Sequence, residues 1–375
     1  MKSKNILLIS SEFPPGPGGI GQHAKCFAEA LASKGFRVWV ATDADYADRA
    51  DVEVFDRRLP AGVQVYRTFR SGIKTYFRRV FTIKKILRNC DIDTIFLSGK
   101  FPLWIGLLLK LAGVRKPIVA VLHGSEVNLR NPAVRWLTHR AIASVDHLVP
   151  VSAFTESLLP SGIRRKANIT IIPNGITPSD FFSEDGKTNE LSGDPVLLTV
   201  GNVTRRKGQH RVIKAMPEIL NKFPQACYHI IGLPTLRDEF QKIAIDLGVT
   251  ERVVFHGRLS SREALFHAYQ AADVFCILSE NQPDGDVEGF GIVVLEANMF
   301  GLPAIGAEGC GISDAIENGT NGFLVNGDAP EDVSGVLSEI LNHREKLAAS
   351  SLEWAKRHDW DQIVKRFLKV MEEAR

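Results

Sequence analysis

The feature that most constrains this chain is a rhythm that runs twice. Short β-rich runs alternate with helix-length segments: KNILLIS, a helical stretch through HAKCFAEALASKG stopping at Gly35, FRVWVAT, and later DTIFLS, PIVAVLHG and DHLVPVS. Stacked β-α-β units around a parallel sheet give this pattern. Between Asn174 and Pro195 the chain turns polar, with Pro178, Asp185, Gly186, Gly193 and Asp194, a composition suited to a connection between domains. The rhythm then restarts with PVLLTVG, the helix RVIKAMPEILNKF, CYHIIG, the helix LRDEFQKIAIDLG, RVVFHG, the helix SREALFHAYQAA, DVFCILS, GIVVLEANMFG and LPAIGA. A length of 375 residues also exceeds what one core usually organises. The expected architecture is α/β, two facing Rossmann-like doubly wound domains. Ligands are expected in the cleft, at the carboxyl ends of the strands.

Several classes fall away on composition. The five cysteines, Cys26, Cys90, Cys227, Cys276 and Cys310, are odd in number, widely spaced and free of C-x-x-C pairs. That argues against a disulfide framework or zinc knuckle and for a reducing compartment. MKSKNILLIS reads as a first strand, because its apolar run is too short for a secretory signal. The longest apolar stretch, Leu103 to Gly113, is interrupted by Lys110 and is shorter than the ~20 residues that cross a bilayer. A cytoplasmic protein is expected.

One segment is unusual in charge. From Arg57 to Cys90 there are many Lys and Arg residues and no Asp or Glu. Its second half, IKTYFRRVFTIKKILR, sets Ile73, Tyr76, Phe77, Val80, Ile83 and Leu87 at helical spacing, with Lys74, Arg78, Lys85 and Arg88 mostly elsewhere. Two readings stand. Either the stripe packs on the sheet and the bases are solvated, or the helix lies on anionic lipid at the inner face of a membrane.

Three motifs carry chemistry. The loop SEFPPGPGGIGQH contains Gly16-x-Gly18-x-x-Gly21, a formal dinucleotide fingerprint, but Ser11 to Pro15 separate it from the strand. A phosphate near Gly18 and Gly19 is still reasonable, since a helix begins there. In GNVTRRKGQH, a strand end is followed by Arg205, Arg206 and Lys207, placed to neutralise a diphosphate. In Glu288-Gly-Phe-Gly-Ile-Val-Val-Leu-Glu296, glycines open a helix. The amides of Phe290, Gly291 and Ile292 would face an anion, and a carboxylate two turns on could accept from a ribose diol.

HGSE at His123, IIPNGI at Asn174, VGNVTRRKG, HGRLS at Gly257 and EGFGIVVLEANMFGLPAIG together resemble the retaining family-four glycosyltransferases of GT-B fold, over almost the whole length. The resemblance implies that Glu296 binds the ribose and that Glu288 lies beside the transferred sugar. Phe290, Gly291 and Ile292 would offer backbone contacts, and Arg206 and Lys207 would hold the diphosphate. Gly19 would approach the same diphosphate, His123 would meet the donor sugar, and the base would lie near Gly257 and Arg258. Where many members carry arginine after the phosphate-turn glycine, this chain has Asn202, so Arg205 or Arg206 must substitute. The segment RHDWDQIVKRFLKVMEEAR resembles a last helix that returns to the first domain. The expected division is therefore 1–178 plus 357–375, the acceptor side, and 190–356, the nucleotide-sugar side.

The expected activity is metal-independent retaining transfer of a hexose from a UDP- or GDP-sugar to a saccharide or lipid-linked acceptor, with no cofactor and no nucleic-acid partner. The run GDVEGFGIVVLEA leans toward GDP-mannose. No histidine pair has metal-ligand spacing, and the triplets Asp43/Asp45, Asp91/Asp93 and Asp284/Asp286 read as turn residues, with the last pair near enough to Glu288 to touch a donor. There is no G-x-S-x-G elbow. The alternatives are an NAD-dependent oxidoreductase using the Gly16 loop, a nucleotide-sugar epimerase, and a non-catalytic binding subunit.

Overall fold

In the computed structural model the described residues are 4–16, 18–44, 48–69, 72, 74–181 and 191–374, the side chain of Tyr76 excepted. Ile73, Asp45, Asp185 and Gly186, named above, lie outside them. The chain forms two compact units, Met1–Gly175 with Trp360–Arg375, and Ile176–Asp359. Unit 1 ends and resumes three residues from the expected 178 and 357, and the second unit begins directly at Ile176 and not at the expected 190. There Ile176 donates its N–H to the His358 carbonyl at 2.9 Å, so the segments that enter and leave this unit run side by side.

Unit 1 holds six parallel strands: β1 Asn5–Ser10, β2 Arg37–Asp43, β3 Val63–Thr68, β4 Thr94–Ser98, β5 Ile118–Leu122 and β6 His147–Pro150, in the order β3-β2-β1-β4-β5-β6. Unit 2 holds β7 Val196–Val200, β8 Cys227–Ile231, β9 Val253–Gly257, β10 Val274–Ile277, β11 Ala304–Ala307 and β12 Gly322–Val325, in the order β12-β11-β10-β7-β8-β9. Counted from its own first strand, each sheet has the same doubly wound order, with its switch point beside that strand. Helices cover both faces. The central strands are therefore continuous apolar runs, and every residue of β4, β5 and β7 is buried. The edge strands β3 and β12 were not read from the sequence: Gln64 and Arg67 interrupt the first, and the second is four residues in a Gly- and Asn-rich segment.

Helix placement follows the same logic. The helix Gly19–Ser33 ends two residues before Gly35 and buries Phe27 and Leu31. The last helix, Trp360–Glu373, packs on it, with the Phe27 and Phe367 rings 4.4 Å apart. The basic segment forms the helix Lys74–Asn89. Its packed stripe is Val80, Ile83, Ile86 and Leu87, whereas Phe77 is 74% and Phe81 69% exposed. The expected stripe therefore needs correcting at Phe77, which faces solvent. Among the described residues no helix is long and apolar enough to cross a membrane.

Charge is divided unevenly between the units. Unit 1 carries 30 Lys and Arg against 16 Asp and Glu, unit 2 carries 16 against 27. Their formal charges are thus +14 and −11, although the whole chain is only +3.

Candidate functional site

The unit 2 cluster is assembled from two loops at the carboxyl end of its sheet. After β7 the chain makes the short turn Arg205–Lys207, then the helix Gln209–Lys222. After β10 it runs through a loop to the helix Ile292–Met299. Glu280 donates its N–H to the Arg206 carbonyl at 3.0 Å, tying the two loops together. Gly311 then buttresses Glu288: its N–H meets the Glu288 carbonyl at 2.9 Å, and a Cβ there would lie 2.3 Å from the Gly289 carbonyl carbon. Only glycine permits that approach.

Glu288 sits between two cations. Its Oε2 accepts from Lys207 Nζ at 2.8 Å and from Arg206, whose Nε is 3.0 Å from Asp286. Burial would raise the Glu288 pKa, but the charges of Lys207 and Arg206 outweigh it and hold the carboxyl below its ordinary value. Arg205 takes no part in the cluster and pairs with Glu239 on the surface. Asn202 is exposed, its carbonyl accepting from Gln209 at 3.0 Å. The structure thus brings Arg206, not Arg205, to Glu288. Asp286 joins them, a contact that the turn reading of the Asp284/Asp286 triplet left aside.

The glycine turn behaves as the spacing suggests. Gly291 precedes the helix Ile292–Met299 at φ 89, which leaves the first amides of that helix without intrahelical partners. Phe290 is buried, its ring 6.1 Å from that of His358, so only its backbone can serve a ligand. Two turns on, Glu296 accepts from the Tyr269 hydroxyl at 3.2 Å, and burial raises its pKa. Sequence reasoning missed Tyr269; a tyrosine inside SREALFHAYQAA carries no signal of its own. Gly257 and Arg258 lie at the end of β9, where the Gly257 carbonyl accepts from Gly232.

In unit 1, His123 follows β5. Its Nε2 lies 2.8 Å from Ser98 Oγ, and its ring meets that of His23 at 5.1 Å, edge to face. Burial lowers its pKa from 6.5 to about 4, so the imidazole is neutral near pH 7. The His123 N–H meets Glu126 Oε1 at 2.5 Å, which closes the His-Gly-Ser-Glu turn. Burial raises the Glu126 pKa. Gly18 packs against a carboxylate: a Cβ there would fall 2.0 Å from Glu12 Oε2. A carboxylate on the loop glycine is the wrong charge for a phosphate group, which weighs against the dinucleotide reading and equally against the expected donor contact at Gly18. Gly19 has open space around its Cα. Among the described residues no group of three or more His, Cys, Asp or Glu side chains is placed to hold a metal ion.

Two six-stranded doubly wound sheets with this loop chemistry are the architecture of GT-B glycosyltransferases. Comparison with known proteins agrees. A family model for glycosyl transferases group 1 matches residues 180–358, and one for glycosyltransferase family 4 matches residues 17–180. The chain is 28% identical over 363 residues, 93% of each chain, to a GDP-mannose-dependent alpha-(1-6)-phosphatidylinositol monomannoside mannosyltransferase from Mycolicibacterium smegmatis. It is 27% identical, over 92% of this chain and 91% of the other, to a GDP-mannose-dependent monoacylated alpha-(1-6)-phosphatidylinositol monomannoside mannosyltransferase from Corynebacterium glutamicum. Among solved structures, a sucrose-phosphate synthase from Thermosynechococcus elongatus shares the fold with a TM-score of 0.79 at 19% identity, over 99% of this chain and 98% of the other. Anabaena HepE, solved with UDP, does so at 0.75 and 18%, over 99% and 100%. The chain belongs to the family-four glycosyltransferases, and it is a glycosyltransferase.

Proposed function

We propose that the protein transfers a hexose, mannose from GDP-mannose, to a lipid-linked saccharide or cyclitol acceptor with retention of anomeric configuration and without a metal ion. The observation that carries this reading is the cluster of Glu288, Lys207 and Arg206 at the start of the helix bearing Glu296. Arg206 and Lys207 are the cations within reach of a departing diphosphate. The amides of Phe290, Gly291 and Ile292 add a field of the same sign, the arrangement that stabilises charge developing on a leaving group. Glu296 accepts from the ribose diol. Glu288 steers the cations and faces the sugar. The named activities of the two mannosyltransferases, similar over nine-tenths of the chain, favour GDP over UDP and a lipid acceptor.

In the proposed step the bond between C1 and the phosphate oxygen breaks as the acceptor oxygen bonds C1 from the same face. The acceptor proton passes to a donor phosphate oxygen, so no protein base is consumed. Peripheral contact with an anionic membrane, through the basic helix near Arg78, would place the protein where such acceptors reside.

A thermal-shift screen with UDP, GDP, ADP and NAD, each with and without chelator, tests the reading. A nucleotide at a hundred times its Kd adds about 2.7 kcal/mol. The expected outcome is stabilisation by GDP that survives chelation. Stabilisation by NAD alone, or loss of the GDP effect on chelation, would refute the donor or the metal-independent part respectively. Product analysis by NMR decides retention.

A further inference from the structure

We propose that Arg211 is a positioning residue for sugar transfer: it pins the loop after β10 against the turn Arg205–Lys207 and so sets where Arg206 stands. The proposal rests on the reading of Arg206 as a cation for the departing diphosphate. Arg211 is the third residue of the helix Gln209–Lys222, whose first turn holds no carboxylate. A cation at that end of a helix opposes the dipole, and a residue that breaks a local rule calls for compensation elsewhere.

The compensation lies around the guanidinium, whose side chain is only 13% exposed. Its Nη1 donates to the Leu278 and Ser279 carbonyls, both at 3.3 Å, where β10 gives way to the loop that carries Glu288. Its Nη2 donates to Asp328 Oδ2 at 2.8 Å, beyond the end of β12, and its Nε lies 3.4 Å from Glu280 Oε2. One planar group thus ties together the chain after β7, β10 and β12. The compact ammonium of a lysine cannot span that set.

From there the connection to Arg206 is short. Glu280, which faces Arg211 through its carboxylate, gives its N–H to the Arg206 carbonyl at 3.0 Å. Gly208 presses on the same Leu278 carbonyl that Arg211 holds, since a Cβ there would fall 1.9 Å from that oxygen. On its other side the turn is held by Gln209, which donates to the Asn202 carbonyl at 3.0 Å. Arg206 therefore stands between two supports, and Arg211 secures the one on the Glu280 side. Leu278 and Ser279 are buried, so carbonyls released from Arg211 would be left without a donor unless the loop moved. A displacement of about 1 Å in a group aimed at the reacting centre can cost about a hundredfold in rate.

The test has one arm without substrate and one with it. In the first, carbon-13 NMR titration follows the Glu288 carboxyl, which Lys207 and Arg206 hold below its ordinary value. Arg211→Met should move that value upward, because Arg206 no longer stands against Glu288. In the second, turnover is read as GDP released from GDP-mannose. Arg211→Met should lower kcat by about ten- to a hundredfold with the donor KM within about threefold, and Arg211→Lys, which keeps the charge and loses the fork, should stay about tenfold down. Gly327→Ala is the variant for the case in which Arg211→Met does not fold: its Cβ would lie 2.8 Å from Arg211 Nη1, so it displaces the guanidinium and keeps its charge. It should hold its unfolding temperature and lower kcat by about threefold. In an Arg206→Gln background, Arg211→Met should cost little more, since it acts through Arg206. An unmoved Glu288 titration, full turnover in Arg211→Lys, or fully additive losses in the double variant would each overturn the proposal. Wild-type turnover in Arg206→Gln, with the Glu288 titration still moved by Arg211→Met, would instead refute the diphosphate reading and leave the mechanical link standing.

Discussion

The two units share one strand order and differ in where they keep their cations. Unit 2 is acidic overall, yet it draws Arg206 and Lys207 inward against the nearly buried Glu288. Unit 1 is strongly basic, yet the ends of its strands hold Glu12 and Glu126, both with pKa values raised by burial, and its free cations lie on the outside. The same sheet thus serves two electrostatic ends. One concentrates positive field at a point, which suits a diphosphate; the other spreads it over a face, which suits a surface.

If the point field of unit 2 is catalytic, Glu288→Gln should show the largest effect: turnover lower by about a hundred- to a thousandfold, with nucleotide affinity within a few-fold by calorimetry. A kcat near wild type would break the comparison at its centre. Lys207→Ala should cost about 3 kcal/mol in denaturant unfolding, because it strips a partner from a nearly buried carboxylate. The sign with pH follows: Glu288 has its folded pKa lowered, so its stabilisation is present above the ordinary carboxyl value and is lost as pH falls through the lowered one. Lys207→Met/Glu288→Gln should lack that acid-side loss.

For the carboxyl ends of the unit 1 strands, NMR titration should find the His123 imidazole changing protonation at about pH 4, well below 6.5. Because that folded value is depressed, His123 favours the fold above pH 6.5, and its share is lost as pH falls toward 4; His123→Gln should flatten that part of the stability profile. Gly311→Ala should cost roughly 1–3 kcal/mol and lower turnover as well, since the backbone behind Glu288 must shift. The smallest effect should come from Arg205→Ala, within about 0.5 kcal/mol and with unchanged activity, as its partner Glu239 is on the surface. A large loss of turnover there would mean that Arg205, not Arg206, meets the diphosphate.

Most of the architecture was legible because buried parallel strands leave continuous apolar runs, as NILLIS and VLLTV do. Of the four edge strands, β6 and β9 were legible as apolar runs, whereas β3 and β12 escaped, the first because Gln64 and Arg67 interrupt it and the second because it is four residues in a Gly- and Asn-rich segment. In the candidate site, the basic turn and the pair Glu288 and Glu296 stood out as charge beside glycine. The choice between Arg205 and Arg206 did not, since neighbouring residues in a turn point in different directions that only coordinates reveal. Asp286 and Tyr269 were hidden for a similar reason: their roles come from loops and helices meeting in space. Phe77 was misassigned because helical spacing marks a stripe without saying where the stripe's edge meets water.

The pairing of Ile176 with the segment at His358 and Asp359 makes unit 2 an insertion within unit 1. Trp360 and Phe367, which pack around His23 and Phe27, are then the last part of the unit 1 core to be synthesised. On the ribosome, unit 2 is complete while unit 1 still lacks that closing helix, so the half translated first is the half that finishes folding last.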